Sequence, residues 1–163
     1  LTMIRKFKPE DTEGVVASWR SASELAHPFL TETFLEKEDH DLRNDYLALA
    51  ETWVCEADGR VVGFIAMIEN VIGGLFIDPH YHGRGFGRAL VDRALAEKGP
   101  LEVEVFRDNA IGRRFYQAYG FQRQSVSLHA PSGQVTILMT FTPASGEEGA
   151  PVSPTAKQPP SAP

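Results

Sequence analysis

Leu75-Phe76-Ile77-Asp78-Pro79-His80-Tyr81-His82-Gly83-Arg84-Gly85-Phe86-Gly87-Arg88 carries the strongest chemical signal in the chain. An apolar run that reads as a strand gives way to three alternating glycines and then to a helical pattern. Glycines let backbone N–H groups approach a ligand with no Cβ in the way, and a helix N-terminus adds the positive end of its dipole. The chemistry such a turn supports is phosphate binding. The plain alternative is a tight strand-to-helix connection with no ligand. Arg84 and Arg88 weigh against it, because a cation at a helix N-terminus costs roughly 0.3–1 kcal/mol unless an anion sits there. Arg88 has a second explanation, an i,i+4 pair with Asp92. Two nucleotide motifs fail on spacing: no Gly-Lys-Ser/Thr follows the glycines, and G-x-G-x-G deep in the chain is not the G-x-G-x-x-G of a first strand.

A second constellation is Asn109-Ala110-Ile111-Gly112-Arg113-Arg114-Phe115-Tyr116. Asn109 can cap a helix running to about Tyr119, and Gly120 suits its C-terminal stop. His27 stands before Pro28 and has a near-neutral ordinary pKa, which suits a base; a structural cap or surface position is the plainer reading. Glu102 and Glu104 alternate with Leu101, Val103 and Val105, which places them on the solvent or helix-covered face of a strand. His80, His82, Asp78 and His40-Asp41 do not fall at ligand spacing on one face, so no metal site is expected.

The elements that must hold these residues follow from periodicity. Met3–Phe7 reads as a strand. Val15, Val16 and Trp19 mark a helix opening near Pro9-Glu10-Asp11, and a second helix starts at Thr31 and runs to about Ala50. Trp53–Ala57 and Val61–Ile68 flank the hairpin turn Asp58-Gly59, and Val71–Ile77 follows a turn at Asn70. A helix to about Glu97, a strand Leu101–Val105, the helix capped by Asn109 and a hairpin of Phe121–Leu128 with Val135–Phe141 complete the order. That order, β-α-α-β-β-β-α-β-α-β-β, is an α/β chain with one mixed sheet.

Composition sets outer bounds. With 163 residues, 16 Lys+Arg against 22 Asp+Glu and a net charge of −6, the chain is a poor candidate for broad binding to nucleic acid or an anionic membrane. No apolar run approaches the roughly 20 residues of a bilayer span. The single cysteine, Cys55, and an N-terminus without signal-peptide layout point to a cytoplasmic setting. Residues 144–163 hold five of the eleven prolines and no aromatic residue, so they are expected to form a disordered tail.

With these residues in view, the glycine turn resembles the Q/R-x-x-G-x-G/A motif of the GCN5-related N-acetyltransferase (GNAT) superfamily, with His82 in place of the usual Gln or Arg. Asn109 to Tyr116 resembles the family's N-x-x-A-x-x-x-Y, with Gly112 in place of alanine, and Phe115-Tyr116-Gln117-Ala118-Tyr119-Gly120-Phe121 is similar to its F-Y-x-x-x-G-F run. The likeness covers about residues 3–142. Trp19-Arg20-Ser21 and His27-Pro28-Phe29-Leu30 resemble the small bacterial YjaB-type members.

The resemblance implies a single domain with splayed parallel central strands, Val71–Ile77 and Leu101–Val105, and acetyl-CoA as cosubstrate between them. Backbone groups of Phe76 and Ile77 would pair with the pantetheine arm. The turn from Gly83 through Arg84, Gly85, Phe86 and Gly87 to Arg88 would hold the pyrophosphate, with His82 beside it and Arg113 and Arg114 extending the patch. Asn109 would bond the pantetheine, while Gly112 and Phe115 keep their helix close to it. The implied reaction is direct attack by a primary amine, from a small molecule or a peptide, on the thioester. A strand N–H near Phe76 would stabilise the oxyanion, Tyr116 would protonate the leaving thiolate, and Glu69 or His27 would serve as base unless a water chain does. Trp19, His27, Phe29 and Phe34 are candidate acceptor walls. A noncatalytic acyl-CoA-binding or regulatory module, or a transferase of longer acyl chains, stays open beside this reading.

Overall fold

The computed structural model describes residues 3–143. The expected tail, residues 144–163, lies outside the described residues. Seven strands form one sheet in the order β1-β2-β3-β4-β5-β7-β6. They are β1 (Met3–Lys6), β2 (Glu51–Ala57), β3 (Arg60–Ile68), β4 (Val71–Ile77), β5 (Leu101–Phe106), β6 (Gln122–His129) and β7 (Gln134–Phe141). Helices α1 (Thr12–Ala26) and α2 (Glu32–Asp41) cover one face. Helices α3 (Phe86–Lys98) and α4 (Ala110–Tyr119) cover the other. This is the element order expected from periodicity.

Local chemistry explains the joints. Asp58 and Gly59 both take positive φ (+54° and +78°), the geometry that joins β2 to β3 by a two-residue turn. Thr31 caps α2 by accepting the Phe34 N–H at 3.1 Å. The helix from Thr31 is not uniform, however. After Asp41 it widens into a π-helical turn, Leu42–Tyr46, before a last turn at Leu47–Leu49. Apolar periodicity detects the stripe of a helix but not one extra residue within a turn.

Alternation along the strands sorts side chains into two cores. Val15, Val16 and Trp19 of α1 pack with Val54, Phe64 and Phe76 on one face. Leu90 and Val91 of α3 and Tyr116 of α4 pack with Ile65, Ile72, Val103 and Val105 on the other. Arg5 fastens β1 to this body through Asp11 (2.8 Å) and Glu56 (2.6 Å). Its guanidinium bonds hold the Asp11 carboxyl below the ordinary range despite burial.

One neighbouring pair in the sheet is parallel, β4 with β5, and it is brief. Val71 lies opposite Glu102 and Ile72 opposite Val103. Beyond Ile72 the two strands part, while β4 stays paired with β3 as far as Ile77. The side of β4 that faces β5 therefore carries unladdered backbone from Gly73 onward.

Candidate active site

The parting of β4 and β5 opens into a cavity of about 660 Å³. Its floor is Leu75, Phe76 and Ile77 of β4, and its far wall is α4. The glycine turn forms its rim. Gly85 is the N-cap of α3 with φ +87°, and Gly83 has φ +77°, a left-handed conformation that side chains resist. A Cβ built on either glycine would meet open space, so the turn is a concave cradle rather than a packed joint. The first α3 bond to Gly85 O comes from Ala89 N at 3.0 Å, which leaves the N–H groups of Phe86, Gly87 and Arg88 without intrahelical acceptors. Gly87 also permits close approach of α4, since a Cβ there would lie 3.1 Å from the Phe115 ring.

Tyr116 lines the same cavity. It is fully buried, edge-on to Phe115 (5.2 Å) and Phe121 (5.1 Å), and its hydroxyl has no hydrogen-bond partner among the described residues. An unmade bond at a buried hydroxyl costs about 1–3 kcal/mol. Burial pushes the phenol well above its ordinary pKa, so it is a proton holder at neutral pH. An orphaned donor, a cradle of free N–H groups and an unladdered strand edge on one cavity fit a ligand with a phosphate, an amide-bearing chain and a group to protonate.

Of the residues assigned to cofactor binding, Phe76, Ile77, His82, Gly83, Gly85, Phe86, Gly87, Arg88, Asn109, Gly112 and Phe115 line this cavity, and Arg84 does not. Arg84 lies over the Tyr81 ring at 4.9 Å and donates to His80 O at 3.5 Å. The expected Arg88–Asp92 pair is replaced by another arrangement: Arg88 stacks on Tyr119 at 4.7 Å, and Asp92 accepts from the Tyr119 hydroxyl at 2.6 Å. His82 braces the turn, with Nε2 2.9 Å from Ile77 O. Arg114 lines the cavity, whereas Arg113 donates to Arg107 O at 3.0 Å.

Neither of the two base candidates lines this cavity. Glu69, at φ +53°, forms the β3–β4 turn beside Val71, at the closed end of the parallel pair and away from the cavity. The connection is two residues long, so its carboxylate stays at the end of β4 opposite Ile77. His27 is 1% exposed at the end of α1. Its Nε2 lies 3.1 Å from Asn109 Nδ2, and burial lowers its pKa to about 4, so it is a poor proton acceptor. Its ring is packed against Phe29, Phe76 and Phe106.

Beyond Phe106 lies a second cavity of about 360 Å³, which sequence reasoning missed. Phe34, Lys37, Glu38 and Asp41 of α2, Glu104 of β5 and the β6–β7 hairpin around His129 line it. The half-buried Glu104 accepts from Thr136 at 3.3 Å, and desolvation raises its carboxyl pKa. Glu102 and Glu104 do lie opposite the Leu101/Val103/Val105 face, as alternation predicts, with Glu102 buried. The available signal was that the same alternation puts Phe106 and Glu104 on one face of a strand that borders the splay. Among the acceptor-wall candidates, Phe34 lines this cavity and Trp19 is core.

Comparisons with known proteins agree with this geometry. Residues 48–123 match the model of the acetyltransferase (GNAT) domain. The chain is 31% identical over 120 residues to the peptidyl-lysine N-acetyltransferase YiaC of Escherichia coli, covering 73% of this chain and 82% of that relative. It is 35% identical over 121 residues to the peptidyl-lysine N-acetyltransferase YjaB of the same organism, covering 73% and 81%. The solution structure of apo YjaB superposes with a TM-score of 0.79 at 27% identity, over 88% of this chain and 99% of that one. The PaiA N-acetyltransferase of Thermoplasma acidophilum, solved with coenzyme A, shares the fold at a TM-score of 0.68 and 20% identity, over 86% and 99%.

Proposed function

The chain belongs to the GNAT acetyltransferase family, and we propose that it transfers the acetyl group of acetyl-CoA to the side-chain amine of a peptidyl lysine. The observation that carries this reading is Tyr116, whose buried hydroxyl has no partner among the described residues, lining the same cavity as the glycine cradle and the open edge of β4. Acetyl-CoA, when bound, supplies an acetyl group activated as a thioester. The chain's own groups do the rest. The N–H groups of Phe86, Gly87 and Arg88 bind a diphosphate, and the β4 edge at Leu75–Ile77 offers backbone donors and acceptors to an extended chain. Tyr116 holds a proton on its hydroxyl for a departing thiolate.

The acceptor enters from the second cavity. Glu38, Asp41 and Glu104 outnumber Lys37 there, a net negative lining that suits a cationic side chain. A lysine ammonium with pKa about 10.4 must lose a proton before it can attack. Glu104, with its pKa raised by desolvation, is the carboxylate placed to take it. The names of YiaC and YjaB support lysine as the acceptor class.

The direct test has two stages. Saturating acetyl-CoA should raise Tm by roughly 5–10 °C, and no shift removes the cofactor assignment. Thiol release is then followed with lysine peptides, peptide N-termini, amino acids and aminoglycosides. Turnover is expected with the lysine peptides first. Binding without turnover across the panel would favour a noncatalytic acyl-CoA-binding module.

A further inference from the structure

We propose that His27 is a positioning residue which, with Gly112, sets the side-chain amide of Asn109 toward the cofactor cavity. The ligand in this inference rests on the acetyl-CoA reading above; the geometry does not.

Asn109 is 1% exposed and lines the larger cavity at the start of α4. Its Oδ1 accepts the Gly112 N–H at 2.8 Å, which orients the amide so that Nδ2 is the group facing His27. Nδ2 lies 3.1 Å from His27 Nε2. An amide nitrogen only donates, so Nε2 is the acceptor and the ring carries its proton on Nδ1. The opposite tautomer, or the imidazolium, would set donor against donor. One Nδ2 hydrogen is thereby spent on His27, and the other is held in a fixed direction at the cavity wall.

Gly112 is part of the same unit. A Cβ at this position would fall 2.5 Å from Asn109 Nδ2 and 3.0 Å from Asn109 Cγ. Only a hydrogen there leaves room for the amide to curl over the helix N-terminus and reach His27. An alanine would fold into the helix easily, but it would displace the amide.

Packing alone does not account for His27. Its ring bridges the parted strands, edge-on to Phe76 of β4 at 6.3 Å and to Phe106 of β5 at 5.0 Å. A phenylalanine would fill that gap with no polar atom to satisfy. The imidazole instead leaves Nδ1 buried without a partner among the described residues, which costs stability. What the imidazole adds is Nε2, and the partner of Nε2 is Asn109.

The test begins without ligand. Nitrogen-15 shifts of His27 in the free protein should show a protonated Nδ1 and a pyridine-type Nε2 at neutral pH; a protonated Nε2 overturns the proposal. Acetyl-CoA affinity is then measured calorimetrically for wild type, His27→Phe, Gly112→Ala and Asn109→Ala. His27→Phe and Gly112→Ala should each weaken binding about tenfold, with kcat on a lysine peptide changed less than about threefold. In the Asn109→Ala background, His27→Phe should add less than about twofold. Equal losses with and without the Asn109 amide would mean that His27 acts by packing only. If His27→Phe does not fold, Gly112→Ala and the tautomer decide: unweakened binding in Gly112→Ala refutes the unit. If wild type itself fails to bind acetyl-CoA, the cofactor reading falls while the tautomer result still judges the His27–Asn109 contact.

Discussion

The cavity under the glycine turn is rimmed by glycines and the free N–H groups of a helix start, whereas the groove beyond Phe106 is lined by charged side chains, Lys37, Glu38, Asp41 and Glu104. In the first, the cradle and the helix N-terminus are local consequences of residues 83–88, and only the open edge of β4 depends on a distant strand, β5. In the second, carboxylates on α2 and β5 meet a hairpin, so the site exists only once three segments distant in the chain, at residues 34–41, 104 and 127–131, have packed. A backbone site constrains residue type through φ and the room for a Cβ; a side-chain site constrains only placement. On the function proposed above, the first suits a shared cosubstrate and the second variable acceptors.

Three experiments press on this contrast. Tyr116→Phe should bring the largest loss, about 10³-fold in turnover or about 4 kcal/mol, with acetyl-CoA affinity within about threefold. Affinity and rate falling together would mean that the hydroxyl belongs to binding, and the division of labour would blur. Next comes the joint between the halves. His27 is pushed down to about 4 from 6.5 by burial, so the folded chain binds fewer protons than the unfolded one between these values. Stability is full above about pH 6.5 and declines as pH falls toward 4, by up to about 3 kcal/mol. Denaturant titrations across that window should show the slope in wild type and a flatter curve in His27→Phe. An identical slope in both would assign the acid lability elsewhere. Smallest of the three, Glu104→Gln should lower acceptor turnover about 10²-fold while leaving acetyl-CoA binding unchanged. Unaltered turnover would hand proton removal to water.

What the residues disclosed in advance follows the same division. The strand and helix order, the Asp58-Gly59 turn, the helix start at Thr31 and the cap at Asn109 were all legible, because each depends on neighbours in the chain. So was the glycine turn opening into a helix. The place of the Arg84 guanidinium was not legible, because sequence puts a charge near a helix end without its rotamer, and here it lies over Tyr81. The separation of Glu69 from the cavity was not legible, because the splay opens at the far end of β4, which depends on where β5 stops pairing. His27 suggested a base from its intrinsic pKa, and burial by three phenylalanine rings removed that capacity. Gly112, an apparently small change from alanine, had its meaning hidden in the fold of a side chain three residues away.

The short parallel seam has one more consequence. A single sheet has two edges, but parting β4 from β5 after two residue pairs adds two more inside the molecule. Exposed edge strands invite pairing with other chains. The outer ones are blunted in familiar ways: β1 is four residues long, and β6 is solvent-washed and carries Gln122, Arg123 and Gln124. Of the inner ones, β5 still alternates Glu102 and Glu104 with its apolar residues, but β4 is apolar throughout and every residue of it is buried. The protection of β4 is depth alone, at the floor of a cavity between α1 and α4. An edge kept adhesive but out of reach of other proteins can still be joined by a narrow, extended chain.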